Sequence, residues 1–227
     1  MKKIVFLMLA AGALVVGMAS CHKDDDNTNN NTNTNTPTNP TNPTTVEWVD
    51  LGLPSGLLWA KCNLGATTPD GYGNYYAWGE TITKETYNWS TYRYATGELT
   101  LTKYNTSETY GTIDNKTTLE ASDDVATSVL GSGASIPTKA EWQELLDNTT
   151  VDWTTVNNVK GRKFTAANGS SLFLPAANGT GGCYWSSSLK ESNPCYAWDM
   201  CFTSGYQSVS SDYRFIGHPV RAVRSQN

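Results

Sequence analysis

Apolar and polar positions fall into three regimes along the chain. Ile4 to Val16 form an unbroken apolar run of 13 residues, between Lys2-Lys3 and the mostly small residues that lead into Cys21. From Asn27 to Thr45 all 19 residues are Asn, Thr or Pro. From Val46 onward the two classes mix at short periods. Lys139 to Asp147 predicts a helix: Trp142, Leu145 and Leu146 share one face, Thr138 and Glu141 form a capping box, and Pro137 stands just outside. A second helix is expected over Leu119–Val129, ended by Gly131 and Gly133. Lys163–Ala166 and Ser171–Ala176 read as strands around Asn168-Gly169, a dipeptide suited to the φ > 0 positions of a tight turn. Tyr196 to Phe202 alternates, so Tyr196, Trp198, Met200 and Phe202 fall on one face of a strand. Gly205 to His218 reads as loop, and Pro219–Arg224 as a last strand. Few helices among many short strands predict an α+β domain.

The first 21 residues have the three parts of a secretory signal: a basic start, a short apolar stretch and small residues before a cut. Thirteen apolar residues fall short of the roughly 18–20 that a membrane span needs. Residues 1–20 are therefore expected to be a signal peptide and Cys21 the lipidated residue; the alternative is an ordinary signal cut near Ser20. Met18 stands where a lipobox usually has Leu. The run His22-Lys23-Asp24-Asp25-Asp26 resembles the signal that sends Bacteroidetes lipoproteins to the outer face of the outer membrane. Residues 21–45 are read as a stalk, because Asn, Thr and Pro offer no apolar surface to offset ordering entropy. In a polyproline-like form, at about 3.1 Å per residue, its stretch from Asn27 to Thr45 reaches at most roughly 60 Å.

Residues 46–227 then make one domain of ordinary size. Without Lys2 and Lys3 the chain has 14 basic and 21 acidic residues, a net charge of −7. That balance disfavours nucleic acid as a partner and leaves the lipid anchor as the expected link to the membrane. Cys62, Cys183, Cys195 and Cys201 could pair in an exported compartment, and the sequence leaves all three pairings open.

Six blocks carry a resemblance: Val49-Asp50-Leu51-Gly52-Leu53-Pro54-Ser55-Gly56-Leu57-Leu58-Trp59-Ala60, Tyr72-Gly73-Asn74-Tyr75-Tyr76-Ala77-Trp78-Gly79-Glu80, Ile136-Pro137-Thr138-Lys139-Ala140-Glu141-Trp142, Leu172-Phe173-Leu174-Pro175-Ala176-Ala177, Tyr184-Trp185-Ser186-Ser187-Ser188 and Val220-Arg221-Ala222-Val223-Arg224. In this order they resemble the Fibrobacter succinogenes major paralogous domain family. The resemblance implies a C-type-lectin-like fold with two helices, short antiparallel strands, long loops and paired terminal strands. One departure is Ala134-Ser135-Ile136, where the family usually has Trp-Arg-Met.

Such a fold invites a calcium-dependent sugar site, but Glu191-Ser192-Asn193-Pro194 and Trp198-Asp199 do not match the calcium-binding triplets, so no metal or other cofactor is expected. Catalysis is not expected either: His218 is the domain's single histidine, and no Cys-x-x-Cys, His-Glu-x-x-His or phosphate loop occurs. Binding remains. Tyr206, Ser210, Asp212, Tyr213, Phe215 and His218 mix aromatic anchors with small polar residues, as paratopes do, and form the candidate ligand face. Trp185, Trp198 and Phe202 are assigned to the core. The expected partner is a glycan or a surface protein. The alternatives are a structural component of the envelope, or a face diversified by a retroelement, since Cys183, Cys195, Cys201, Ser210, Ser211, Asp212, Tyr213, Phe215, Ile216 and His218 are all types that AAC codons can become by adenine mutation.

Overall fold

The structure, a computed structural model, describes residues 46–226 apart from Glu98 and Asn178. The expected signal peptide, the lipidation site Cys21 and the stalk lie outside the described residues. The chain runs through β1 (Trp48–Asp50), β2 (Leu58–Ala60), β3 (Tyr75–Tyr76), β4 (Ala95–Gly97), β5 (Thr100–Leu101), a 3-10 turn, α1 (Val125–Leu130), β6 (Ala134–Ser135) and α2 (Lys139–Asp147). It continues with β7 (Thr149–Val156), β8 (Val159–Ala166), β9 (Ser171–Pro175), β10 (Gly181–Leu189), β11 (Tyr196–Thr203), β12 (Gln207–Tyr213), β13 (His218–Pro219) and β14 (Val223–Arg224). All strand pairings are antiparallel, in five small sheets: β1-β2-β14-β6, β10-β11-β12, β13-β3, β4-β5 and β7-β8-β9.

This overturns the α+β, C-type-lectin-like expectation. Among the described residues strands take 36% and helices 10%, so they are mostly β-sheet. The second helix fails over its first half for a definite reason. Thr118 forms an isolated β-bridge with Ser188, and the Leu119 N–H donates to the Ser187 carbonyl, so the backbone here is tied to β10 instead of coiling. Only Val125–Leu130 coils, once the Asp124 carboxylate caps it by accepting from the Ala126 and Thr127 N–H groups. The terminal strands share one sheet but are not paired; β2 lies between β1 and β14. Pro219 to Arg224 is also not one strand: β13 pairs with β3, and β14 with β2 and β6.

Local signals fare better. The α2 helix has the expected bounds, with both halves of the Thr138–Glu141 capping box formed. Trp142 and Leu145 on its inner face are fully buried, a gain of about 2 kcal/mol for a leucine-sized side chain. The indole N–H of Trp142 donates to the Trp185 carbonyl across 3.1 Å, locking α2 to β10. At the β8–β9 connection only Gly169 has positive φ, +85°, so the loop is longer than the two-residue turn expected. The tight turn lies one hairpin earlier. Asn157 and Asn158, at φ +48° and +66°, join β7 to β8 with the two left-handed residues of a type I′ turn.

Two packed clusters fill the interior, one around Trp78, Tyr104 and Trp185, the other around Trp59, Trp142, Tyr184, Met200 and Phe202. Two arginines are sealed within. The Arg214 guanidinium donates to the Tyr92 hydroxyl and to the carbonyls of Lys103, Tyr104 and Pro194. The Arg221 guanidinium is held likewise, donating to Asn63 and to the carbonyls of Ala60, Lys61 and Phe173. No helix among the described residues is long and apolar enough to cross a membrane.

Candidate binding faces of the β10–β11–β12 sheet

Residues Gln207–Tyr213, expected as loop, form β12, and this decides where the candidate residues go. Side chains alternate between the faces of a strand. The register pairs Tyr196 with Tyr213, Trp198 with Ser211, Met200 with Val209, Asp199 with Ser210 and Ala197 with Asp212. Ser210 and Asp212 therefore share a face with Asp199, while Tyr213 shares the opposite one with Tyr196 and Trp198. The six predicted residues do not make one site.

The Asp199 face is polar and enclosed. His218, on β13, is buried, its ring 4.4 Å from that of Trp185. Its Nε2 lies 3.5 Å from an Asp199 carboxylate oxygen and 3.5 Å from one of Asp212. At that separation these are ion-pair contacts, longer than good hydrogen bonds. Burial works against a charged His218, but the two carboxylates outweigh it and raise its pKa above the ordinary histidine value. Burial dominates at Asp199 and raises its pKa, with His218 pulling the other way. Asp212 is also disfavoured by burial, yet His218 and the Tyr213 N–H hold its pKa below the usual carboxylate value. A disulfide joins Cys183 to Cys201, directly opposite each other on β10 and β11. Over them opens a cleft of about 440 Å³ lined by Tyr75, Tyr206, Ser208, Ser210 and His218. Tyr206 stands 56% exposed at the turn between β11 and β12, so it joins this cleft and not the aromatic group beyond the far end of β12.

The opposite face carries a strip of rings. Tyr196 and Tyr213 stack with centroids 4.2 Å apart, Tyr213 and Phe215 at 5.4 Å, and Trp89 meets Phe215 edge-on at 4.9 Å. Tyr213 is exposed; Phe215 and Trp89 are half-buried and root the strip in the core. Trp198 continues the strip. Its assignment to the core is corrected here: Trp185 and Phe202 are buried there, but Trp198 is half-buried at the surface. The Lys139 ammonium sits 3.5 Å from the Trp198 ring centre, and Lys190 reaches over both Tyr196 and Trp198 while donating to the Ser211 hydroxyl. Trp198 also borders a cleft of about 590 Å³ with Thr118, Thr138, Lys139, Ser188 and Glu191.

The residues missed by sequence reasoning are thus Tyr196, Trp198, Trp89, Lys139 and Lys190. The alternation of Tyr196 and Trp198 was visible, but the sequence does not say which face of β11 is covered. No protein-family model, curated protein or solved structure matches the chain, so the family resemblance rests on the six sequence blocks alone.

Proposed function

We propose that the protein is a lipid-anchored protein of the outer surface whose β-rich domain binds a glycan along the Trp198–Tyr196–Tyr213–Phe215 strip, without catalysis. One observation carries the reading. An exposed tyrosine, stacked between two other rings, runs on to a half-buried tryptophan at the edge of a cleft lined by hydroxyls. Flat rings meet the apolar faces of sugars, and the surrounding hydroxyls, Glu191 and the ammonium groups of Lys139 and Lys190 supply hydrogen-bond partners for the sugar rim. A cluster of surface aromatics held at its base by the core is pre-organised, so little ordering entropy opposes binding. The Cys21 anchor and the stalk would hold this face away from the membrane.

A glycan array, read with the wild type and with Trp198→Ala and Tyr213→Ala, tests this. Specific binding that both substitutions abolish, with the near-ultraviolet circular dichroism of the fold retained, is the expected result. Absence of any glycan ligand, together with copurification in a stable envelope complex, would favour a structural role instead.

A further inference from the structure

The enclosed face of the same sheet carries a second chemistry, separate from the strip. Cys201 and Asp199 project to one side of β11, Cys183 faces Cys201 from β10, and β13 brings His218 over them. One ligating atom each from Cys183, Asp199 and His218 lie within 4.8 Å of one another. The Cys201 sulfur is 3.3 Å from an Asp199 carboxylate oxygen. That approach is a contact only, because a disulfide sulfur has no proton to donate. Asp199 is 1% exposed and His218 9%, yet Asp199 Oδ1 and His218 Nε2 have no hydrogen-bond partner among the described residues. Buried polar atoms are ordinarily paired, and exceptions call for an explanation such as an ion.

Two sulfurs, an imidazole nitrogen and a carboxylate oxygen are a donor set for a four-coordinate, borderline-soft divalent cation such as zinc. Bonds of roughly 2.0–2.3 Å to a tetrahedral ion place neighbouring ligand atoms roughly 3.3–3.8 Å apart. The separations from the Asp199 carboxylate to Nε2 of His218, 3.5 Å, and to the Cys201 sulfur, 3.3 Å, fall in that range. The sulfurs do not, because they are covalently joined.

We propose that Cys183, Cys201, Asp199 and His218 form a redox-gated site for a zinc-type cation, closed while the disulfide stands and opened when a small dithiol reduces it. A thiolate of the dithiol attacks one sulfur of the pair and forms a mixed disulfide, releasing the other cysteine as a thiolate. The second thiol of the reductant then displaces the first cysteine. Two electrons pass to the protein, which gains two thiols, and the reductant leaves as a cyclic disulfide. Cation binding expels both thiol protons and the proton that His218 carries on Nε2, and the Asp199 carboxylate and the freed Nε2 lone pair complete the set. The cleft beside His218 and Ser210 gives the ion its way in.

The test compares the full chain, oxidised and then reduced with dithiothreitol and desalted without air, titrated with zinc against a chromogenic chelator. The expected result is one equivalent more of zinc bound by the reduced chain than by the oxidised one. Cys62 and Cys195 have no disulfide partner among the described residues, so any metal they hold is common to both states and cancels in the comparison. Cobalt added to the reduced chain should show thiolate-to-metal charge transfer and tetrahedral bands. Asp199→Asn and His218→Gln should each weaken zinc binding at least about tenfold. No zinc taken up on reduction would overturn the proposal, and that wild-type comparison stands even where a variant fails to fold. Zinc held with unaltered affinity by both substituted chains would overturn it equally, because the thiols alone would then be the site.

Discussion

Arg221 and His218 sit close together near the end of the chain, and both are buried, but their surroundings are built on opposite plans. The Arg221 guanidinium donates to Asn63 Oδ1 at 2.9 Å and to the carbonyls of Ala60, Lys61 and Phe173 at 3.1, 2.8 and 3.0 Å. Burial lowers its pKa to about 10, partly offset by Tyr184 and Cys62, so it stays cationic at neutral pH. His218 has two carboxylates for ion-pair neighbours, but both stand at 3.5 Å and its Nε2 has no hydrogen-bond partner among the described residues. One centre is closed, with fixed dipoles aimed at its donors; the other faces two carboxylates and the Trp185 ring and borders a cleft. The contrast separates a polar group that holds the fold from one that is available to a ligand.

Breaking the closed centre should have the largest effect. Arg221→Met strips the donor from several buried acceptors at about 1–3 kcal/mol each, so a loss of about 3–5 kcal/mol is expected after relaxation, read as the shift of a urea midpoint. Arg221→Lys should recover little of it, because a compact ammonium cannot reproduce a planar fork that serves β2, its flanking loop and β9 at once. His218→Gln should cost far less. If it cost as much as Arg221→Met, the distinction between the two centres would collapse.

Next in size is the disulfide beside the open centre. Its cysteines are 18 residues apart, and closing a loop of that length stabilises by about 3 kcal/mol in the chain-entropy view. Reduction without metal should therefore lower the urea midpoint. Zinc should restore part of the loss in the reduced wild type but not in reduced His218→Gln. An equal response in both would assign the rescue to the thiols alone.

What the sequence disclosed about these centres follows from how local each feature is. The α2 helix was legible to the residue, because Thr138, Glu141 and the Trp142–Leu145 face lie within a few turns of one another. The Asn157-Asn158 turn is also written locally, between Val156 and Val159, but Asn-Asn is a weaker turn signal than Asn168-Gly169. The helix content is not legible locally, because the fate of Leu119 depends on Ser187, far along the chain. The cysteine pairing and the Asp199–His218 approach depend on strand register and on β13 crossing to β3. The candidate residues divide between two faces, because a segment expected as loop is a strand and its two-residue period separates Asp212 from Tyr213.

A smaller effect should appear on changing pH. His218 has its pKa raised in the fold, so its stabilising contribution is fully present below the unfolded value of about 6.5 and is lost as pH rises through the folded value. Asp199 is raised as well and acts with the same sign, from about pH 3.8 upward; Asp212 is lowered, and its contribution is lost on acidification. Urea midpoints between pH 6 and 8.5 should thus fall for the wild type as pH rises, and His218→Gln should flatten the decline. A wild type with no decline in that window would mean that the carboxylates do not hold the imidazolium.

The smallest stability effect belongs to the strip, where binding should nevertheless change most. Tyr213 is 39% exposed and its main contacts are the stacked rings of Tyr196 and Phe215. Aromatic pairs are worth about 0.5–1.5 kcal/mol beyond burial, and at an exposed site the lower end applies, so Tyr213→Ala should cost no more than about 1 kcal/mol. Tyr213→Phe keeps the stack and removes only the hydroxyl. If ring stacking carries glycan affinity, Phe retains it and Ala loses it; if the hydroxyl carries it, both lose it while the fold is unchanged. A Tyr213→Ala chain destabilised as severely as Arg221→Met would place this ring among the supports of the core, and the strip would then be packing instead of a binding face.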